Sequence, residues 1–354
     1  MTPPLGIVEG FFGPSWSWDE RRFVLQRVAV AGFSRYLYAP KADRALRREW
    51  DSPYSDAWMA NVTEFGRECN GLGVEFGVGI SPYGLQDALT KARLAMFRAQ
   101  ITRLANLGVA RIAILFDDME GIGEDLASVQ LQIVDEATHA HPSAKFVVCP
   151  SYYSSDIVLD RVFGARPHRY LETLGAALDP AIEVFWTGPE VCSRQISRSH
   201  LETISEQLCR APTLWDNYPV NDGPRMSSQL HLRAFTGRDA ANASLIAAHM
   251  INPALQSTLS LIPALSLVEL YAKGDRYDYA SAFESAAHKI VGSSLALALR
   301  EDLLAFQDAG LLRLGARRAA LRAKYAAFEH PAAAEVVAWL DGVYAVSAEE
   351  VQTQ

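Results

Sequence analysis

Two adjacent aspartates, Asp117 and Asp118, follow directly on a run of apolar residues in the stretch ILFDDME. In a regular β-strand successive side chains point to opposite faces, so two neighbours inside a strand cannot both address one ligand. We therefore expect the pair to lie where a strand ends and its loop begins. There one carboxylate can stay ionised, while repulsion and partial burial raise the pKa of its neighbour, which keeps its proton for acid catalysis.

Three interpretations of this pair are open. Glycoside hydrolysis needs two carboxylates with different roles, but they normally flank the scissile bond at roughly 5 to 9.5 Å from each other. Adjacent residues do not flank a sugar naturally, so a mechanism in which the substrate's own 2-acetamido oxygen is the nucleophile fits better. A magnesium site is the second option, with Glu120 nearby and Asp222 on another strand, although no third carboxylate stands at a fixed spacing. The third is a loop cap without catalytic function.

The chain alternates between short apolar runs and longer amphipathic segments, which is typical of repeated βα units. Eight runs are predicted to be strands: 6–10, 35–41, 74–82, 111–118, 145–153, 182–188, 212–219 and 245–252. Because their apolar character is nearly continuous, both faces of the sheet must be covered, which favours a closed (β/α)8 barrel over an open doubly wound sheet. The sequence SWDE at 17–20 predicts a capping box, and Gly108 predicts the end of a helix.

Polar residues collect at the carboxyl ends of the predicted strands, among them Lys41, Tyr153, Asn217 and Asn252 in addition to the aspartate pair. In a barrel these ends meet on one face, which is where barrel enzymes carry their active sites. We therefore expect a single site on that face.

Composition indicates a soluble globular protein. The chain has 354 residues, 49% of them hydrophobic, and a formal net charge of -8 with acidic and basic residues intermixed. No basic face for nucleic acid is indicated, and no apolar run approaches the roughly 20 residues that span a bilayer. The start of the chain lacks a signal-peptide pattern, so we expect a cytoplasmic protein. The cysteines lack CxxC spacing, which argues against a zinc site or a disulfide framework, and Cys149 is expected to be a buried, unreactive thiol.

The chain changes in character after about residue 270, where it becomes rich in alanine and leucine with helical periodicity and no strand signal. We therefore predict a catalytic barrel over 1–270 and a helical domain or extension over 271–354. Its apolar helices, with VVAWLDGVYAV at 336–346, are expected to pack on the barrel or on a second copy of the chain. A homodimer through these helices is thus a candidate assembly.

Seven stretches together resemble glycoside hydrolase family 84, the β-N-acetylglucosaminidases that include the O-GlcNAc hydrolases. They are GIVEGFFGPSWSW, YLYAPKAD, LFDDME, VVCPSYY, VFWTGPEVCS, LWDNYPVND and MINPA, in the family's order between residues 6 and 254. The resemblance implies a (β/α)8 barrel that removes terminal β-linked N-acetylglucosamine with retention, by substrate assistance and without a metal or other cofactor. The implied partner is a GlcNAc-bearing glycoconjugate or glycopeptide.

The same resemblance implies roles for individual residues. Asp117 would hold the acetamide nitrogen, and Asp118 would protonate the leaving oxygen and then activate water. Tyr153 would contact the acetamide oxygen, and Trp215 would form a wall of the acetamido pocket, with Trp186 as a second candidate wall. The sugar hydroxyls would be bound by the backbone of Gly10 and by Lys41, Asn217, Asp222 and Asn252.

The sequence departs from the family's usual pattern at Phe12, Ala42, Met119, Tyr152 and Glu190. None of these removes a catalytic position, but they leave the preferred glycoconjugate open. Tyr152 is also an alternative holder of the contact to the acetamide oxygen. Two rival functions are a GlcNAc-binding barrel without catalysis and a metal-dependent hydrolase that uses the same carboxylates.

Overall fold

The eight predicted strands form a closed parallel barrel in the computed structural model, which describes residues 2–119 and 123–346, so that Glu120 lies outside the described residues. In chain order the strands are β1 (Leu5–Glu9), β2 (Arg35–Tyr38), β3 (Glu75–Ile80), β4 (Arg111–Leu115), β5 (Lys145–Cys149), β6 (Glu183–Trp186), β7 (Thr213–Asp216) and β8 (Ala248–Ile251). Each strand pairs with its neighbour in sequence, and Leu5 of β1 lies opposite His249 of β8, which closes the sheet. The predicted (β/α)8 architecture is confirmed.

Helices cover the outside of the barrel. They are α1 (Trp18–Val30), α2 (Asp56–Gly71), α3 (Lys91–Asn106), α4 (Leu126–Ala140), α5 (Ile157–Phe163), α6 (Tyr170–Ala177), α7 (Arg198–Leu208) and α8 (Leu261–Lys273). Ser17 and Glu20 form the predicted capping box at the start of α1. Gly108 follows α3 with a φ of 81°, the left-handed conformation that commonly ends a helix.

The strand predictions were too long at their carboxyl ends. β2 ends at Tyr38, β4 at Leu115 and β5 at Cys149, so Lys41 and Tyr153 lie beyond the paired strands. The ladder stops where neighbouring segments diverge into their loops, and residues beyond that point no longer alternate between two faces. Polar side chains that follow the strands are therefore free to turn over the mouth of the barrel.

Glu9, the last residue of β1, fastens the barrel to its helical layer. Its carboxylate is fully buried and accepts hydrogen bonds from Arg21 of α1, at 2.9 Å for the shorter Nε contact, and from the Tyr36 hydroxyl at 3.0 Å. Removing one partner of such a buried pair typically costs about 3–5 kcal/mol, because the other charge is left uncompensated. Glu9 thus points away from the barrel mouth.

In the described residues the barrel is followed by the helices α9 (Tyr279–Leu304), α10 (Arg317–Ala326) and α11 (Pro331–Leu340). Their inner faces form a second apolar core together with Leu230 and Leu232 from the segment between β7 and β8. Gln307 accepts hydrogen bonds from the backbone N–H groups of Leu232 and Arg233 at 2.9 and 2.8 Å. These helices therefore pack on a loop of the barrel, and the predicted boundary at residue 270 falls inside α8.

The apolar stretch at 336–346 is largely buried against its own chain. Trp339 is fully buried and donates its indole N–H to the carbonyl oxygen of Ser227 at 3.0 Å. Val346 packs in the core of the barrel, whereas Val343 is 61% exposed. No helix in the described part of the chain is long and apolar enough to cross a membrane.

Candidate active site

A cavity opens at the carboxyl ends of the strands, on the face where barrel enzymes carry their active sites. It is lined by nine residues that the sequence indicated for catalysis or sugar binding: Gly10, Lys41, Asp117, Asp118, Tyr153, Trp215, Asn217, Asp222 and Asn252. The remaining lining residues are Phe12, Cys149, Thr187, Val191, Cys192 and Val220. Side chains that are far apart in sequence thus meet in one place.

The aspartate pair sits on a turn just beyond β4, as expected from the sequence. Phe116 still donates its N–H to the carbonyl oxygen of Cys149 at 2.9 Å, and the ladder ends there. Asp118 then has a φ of 55°, in the left-handed region that residues other than glycine rarely adopt. Because the backbone turns at this point, both carboxylates line the cavity, which a continued strand would not allow.

The two carboxylate oxygens of Asp117 have different surroundings. Oδ2 accepts a hydrogen bond from the ammonium of Lys41, and both side chains of this ion pair are buried. Oδ1 is buried as well, but it accepts no hydrogen bond from any residue in the described ranges. A buried acceptor without a donor costs about 1–3 kcal/mol. Oδ1 is therefore suited to receive an N–H group from a ligand in the cavity.

Asp118 lies in an environment that favours its protonated form. Burial raises the pKa of its carboxyl group; Lys41 opposes this rise and the negative charge of Asp117 adds to it, with a raised pKa as the net result. Oδ1 accepts a hydrogen bond from the Tyr153 hydroxyl at 3.1 Å, and the Lys41 ammonium lies 3.8 Å from Oδ2. A carboxylic acid that keeps its proton toward neutral pH can act as a general acid.

A chain of hydrogen bonds joins Trp215 to two asparagines on one side of the cavity. The oxygen of the Asn217 side chain accepts from the Trp215 indole N–H and from the Asn252 amide, both at 3.0 Å. Asn252 in turn accepts from the backbone N–H of Gly10 at 3.2 Å. The amide of Asn217 donates to the carbonyl oxygen of Val191 at 2.8 Å. This network fixes the plane of the tryptophan ring relative to the strand ends.

Gly10 touches the face of this tryptophan ring. A Cβ atom added at this position would lie 2.1 Å from Cζ2 of Trp215, far inside van der Waals contact. Any larger residue would therefore push the ring into the cavity or out of its hydrogen bond with Asn217. The glycine in the GIVEG stretch is needed for this close approach.

Asp222 lies in the segment that follows β7, lines the cavity and is 6% exposed. Its Oδ2 accepts the backbone N–H of Phe12 at 2.8 Å. Burial raises the pKa of this carboxyl group to about 6, with a further contribution from the charge of Asp118. At neutral pH it is ionised, and it is then a strong acceptor for hydroxyl groups.

Comparison with known proteins identifies the family. The model of a family described as beta-N-acetylglucosaminidase matches residues 5–307. The chain belongs to the β-N-acetylglucosaminidase family. The match runs past the barrel into the helices that follow α8, as far as the residues that contact the loop after β7.

Two curated relatives in the β-N-acetylglucosaminidase family are the proteins named O-GlcNAcase of Mus musculus and Rattus norvegicus. Each is 27% identical over 279 residues, which cover 75% of this chain and 30% of the relative. The chain thus spans about a third of the length of these relatives. Among solved structures, a mutant of the O-GlcNAc hydrolase of Thermobaculum terrenum matches with a TM-score of 0.80 and 25% identity, over 97% of this chain and 81% of that one.

Trp186, the second candidate for a wall of the acetamido pocket, does not line the cavity. It is the last residue of β6 and is fully buried, with its ring stacked on His200 of α7 and its indole N–H bonded to the imidazole at 2.9 Å. Thr187, the next residue, lines the cavity instead. The alternation of β6 side chains thus directs Trp186 to the helical layer.

Tyr152 also points away from the cavity that its neighbour Tyr153 lines. Its hydroxyl donates to the carbonyl oxygen of Gly164 at 2.7 Å, and its ring packs edge-on against Tyr170.

Cys149 lines the cavity but is only 2% exposed, and burial raises the pKa of its thiol well above the usual range. It thus has the surroundings expected of an unreactive thiol.

Sequence reasoning missed Arg47, which supports the strained turn. Its guanidinium donates to the backbone carbonyl oxygen of Asp118 at 3.1 Å. The only sequence signal was a cluster of arginines after the APK motif, a pattern that is typical of a solvent-exposed segment.

In the described part of the chain, no group of three or more histidine, cysteine, aspartate or glutamate side chains is arranged to hold a metal ion.

Proposed function

We propose that this protein is a retaining exo-β-N-acetylglucosaminidase that removes terminal β-linked N-acetylglucosamine, of the O-GlcNAc type, by substrate-assisted catalysis. The observation that carries the proposal is Asp117, whose Oδ2 is held by Lys41 while its buried Oδ1 accepts nothing from the described residues. The acetamide N–H of a bound N-acetylglucosamine is a donor suited to this oxygen. Membership of the family and the names of the similar proteins support the same substrate.

The first step forms an oxazoline. Asp117 accepts the acetamide N–H and takes up its proton as the acetamide oxygen attacks the anomeric carbon, so that a neutral oxazoline forms. As the bond to the leaving oxygen breaks, Asp118 gives that oxygen its proton. The raised pKa of Asp118 suits this acid role, and the Tyr153 hydroxyl, which lies beside Asp118, would contact the acetamide oxygen.

The second step opens the oxazoline with water. Asp118, now ionised, takes a proton from a water molecule, whose oxygen attacks the anomeric carbon. The bond to the acetamide oxygen breaks, and Asp117 returns its proton to the acetamide nitrogen. Two successive displacements at the same carbon return it to the β configuration. The enzyme supplies no nucleophile in this scheme, so its two carboxylates do not have to stand on opposite sides of the sugar.

The other lining residues would bind the sugar. Trp215 offers a flat apolar wall for the acetamide methyl group, and Gly10, Lys41, Asn217 and Asn252 offer polar groups to the ring hydroxyls. Asp222, ionised above its pKa of about 6, would accept the 4- and 6-hydroxyl protons. A site that uses both hydroxyls selects a sugar with a free 4-position, which is a terminal residue.

Turnover of an aryl N-acetyl-β-glucosaminide tests the proposal. We expect activity in the wild type, a loss of about 10²- to 10⁴-fold in Asp118→Asn, and inhibition by a thiazoline that mimics the oxazoline. Asp135→Asn, at an exposed position of α4, is the matched control and should keep wild-type activity. Wild-type activity in Asp117→Ala would contradict the role given to that residue.

Two outcomes would favour the rival functions. Calorimetric binding of N-acetylglucosamine without any hydrolysis would support a barrel that only binds the sugar. Loss of activity in excess EDTA, restored by a divalent cation, would support a metal-dependent hydrolase. A homodimer through the C-terminal helices and a cytoplasmic location stay predictions; sedimentation velocity of the purified chain tests the first.

A further inference from the structure

Three arginines surround Tyr83 beside the cavity. The guanidinium carbons of Arg47 and Arg48 lie 5.6 and 5.2 Å from the centre of the Tyr83 ring. Arg93 donates to the backbone carbonyl oxygens of Tyr83 and Gly84. Arg47, Arg48, Tyr83 and Arg93 are called the arginine–tyrosine patch below. At these distances a guanidinium and an aromatic ring attract each other through a cation–π interaction, which holds both groups in place.

The charge of Arg47 acts on the nearby Asp118, but in the described part of the chain the positive charges of this patch are not balanced by an ion pair. Arg44, on the same segment, forms an ion pair with Glu49, but none of the three arginines of the patch forms one with a residue in the described ranges. Asp87 follows Tyr83 on the same loop and likewise makes no ion pair there. The chain has a net charge of -8, but these guanidinium ions without ion-pair partners make the surface of the patch locally positive. Such a group attracts anions.

Arg47 connects the patch to the cavity. It donates to the carbonyl oxygen of Asp118 at 3.1 Å, and its guanidinium carbon lies 5.4 Å from the centre of the Phe12 ring, which lines the cavity. Exposure increases away from this point, from 8% for Arg47 to 41% for Tyr83, and Arg48 is exposed. The patch therefore extends from Asp118 outward to the protein surface.

The position of Asp118 determines what this surface meets. Under the proposed function, which this inference presupposes, Asp118 protonates the leaving oxygen, so the leaving group lies on the side of the cavity where Asp118 stands. The patch begins at that residue. Arginine binds carboxylate and phosphate oxygens in a bidentate manner, and Tyr83 offers a flat surface for an apolar part of the same group.

We propose that the arginine–tyrosine patch is a subsite for leaving groups that carry an anion, either a carboxylate or a phosphate, within reach of Arg48. It gives the enzyme a preference among conjugates that share the same terminal N-acetylglucosamine. The cavity binds the sugar, and the patch selects what the sugar is attached to.

Substrates that differ only in the charge of the leaving group test this subsite. The set comprises phenyl N-acetyl-β-glucosaminides with a meta carboxylate, a meta phosphate ester or a neutral meta carboxamide. For each variant, kcat/KM of an anionic substrate is divided by kcat/KM of the neutral one. The intrinsic reactivity of each leaving group is the same for every variant and cancels when these ratios are compared.

Arg48→Gln should lower the ratio about threefold to tenfold relative to the wild type, in line with a partly exposed charged contact. Tyr83→Leu removes the ring beneath both guanidinium groups and should lower it as well. Arg317→Gln removes the same charge from an exposed position of α10 and should leave the ratio unchanged. The wild-type preference should also weaken at an ionic strength of about 0.5 M, where exposed charges are screened.

The two anionic substrates distinguish the source of the anion, because the one whose ratio falls further in Arg48→Gln carries the preferred group. Equal ratios in the wild type, Arg48→Gln and Arg317→Gln for both anions would overturn the subsite. The neutral substrate reports on the proposed function separately. If the wild type turned over none of the three substrates, the proposed function itself would fail.

Discussion

The buried ammonium of Lys41 binds one carboxylate oxygen of Asp117 and leaves the other without a hydrogen-bond donor in the part of the chain that the structure describes. The two residues are on different strand ends, beyond β2 and β4. Lys41 therefore orients Asp117 as well as offering donors to the substrate. An ammonium has three N–H groups, so it can do both at once.

Replacing Lys41 should lower both stability and kcat, because the substitution removes the partner of Asp117 as well as a contact to the sugar. Lys41→Met leaves Asp117 as a buried carboxylate without a partner, which is destabilising by about 3–5 kcal/mol unless the group takes up a proton. A protonated Asp117 no longer favours attack by the acetamide oxygen, so we expect kcat to fall at least about 100-fold. Lys289→Met, at an exposed position of α9, is the control. Wild-type kcat in Lys41→Met would show that the ion pair does not matter for catalysis.

Gly10→Ala should damage the acetamido wall. The added Cβ meets Trp215 at 2.1 Å, so the ring must move and its hydrogen bond to Asn217 is lost. We expect a loss of stability of about 1–3 kcal/mol, as is usual for overpacking, and a higher KM for the aryl glycoside. Gly71→Ala, at the end of α2 with nothing within 4 Å of the new atom, should leave KM unchanged and cause no loss of stability. Equal KM values for the two variants would contradict this account of Gly10.

Tyr153→Phe should move the pH dependence in a defined direction. The Tyr153 hydroxyl donates to Asp118 at 3.1 Å and so lowers the pKa of that carboxyl group, against the larger effect of burial. Without the hydroxyl the pKa of Asp118 rises further, and the acid stays protonated to higher pH. The alkaline limb of the kcat/KM profile should therefore shift upward, besides any loss of rate. A shift toward lower pH would contradict the assignment of Asp118 as the acid.

The sequence was sufficient to predict the barrel, because the pattern of βα units is local. Nine residues of the cavity were indicated by their positions at strand ends or by the family resemblance. It did not reveal how those units meet. The Lys41–Asp117 ion pair joins two loops, and the left-handed conformation of Asp118 depends on contacts such as the one from Arg47. The sequence also left open whether Trp186 faces the cavity or the helical layer, because the pattern does not show which face of β6 this residue occupies.

A buried carboxyl group in the C-terminal helices gives a prediction for stability. Glu335 accepts the backbone N–H groups of Thr258 and Leu259 at 2.8 and 2.9 Å, and burial raises its pKa to about 7. Because this pKa is raised in the folded state, the protonated group stabilises the fold below its unfolded pKa. That contribution is lost as the pH rises through about 7.

Glu335→Gln should remove this pH dependence. Relative to the wild type, the free energy of unfolding of the variant should rise by on the order of 2 kcal/mol between pH 4.5 and 8. Urea unfolding at both pH values measures the difference, and Glu284→Gln, at an exposed position of α9, is the control. A difference between Glu335→Gln and the wild type that does not change with pH would contradict the raised pKa.

The helical character of this C-terminal segment was predictable, because alanine- and leucine-rich periodicity is a local signal. The contacts that this segment makes with the barrel were not predictable. The hydrogen bonds that Glu335 and Gln307 accept from loops of the barrel link residues that are more than 70 positions apart. Such contacts depend on the packing of α9 to α11 against the barrel, and helical periodicity contains no information about the partner surface.

The central claim is that the acetamide oxygen of the substrate is the nucleophile, and a series of substrates tests this claim most directly. Aryl glycosides of N-acetyl-, N-difluoroacetyl- and N-trifluoroacetyl-β-glucosamine have the same leaving group, but fluorine withdraws electrons from the carbonyl oxygen that is proposed to attack. If that oxygen is the nucleophile, kcat/KM should fall steeply with each added fluorine. If kcat/KM is the same across the series, the enzyme supplies its own nucleophile or activates water directly, and the roles proposed for Asp117 and Asp118 are wrong.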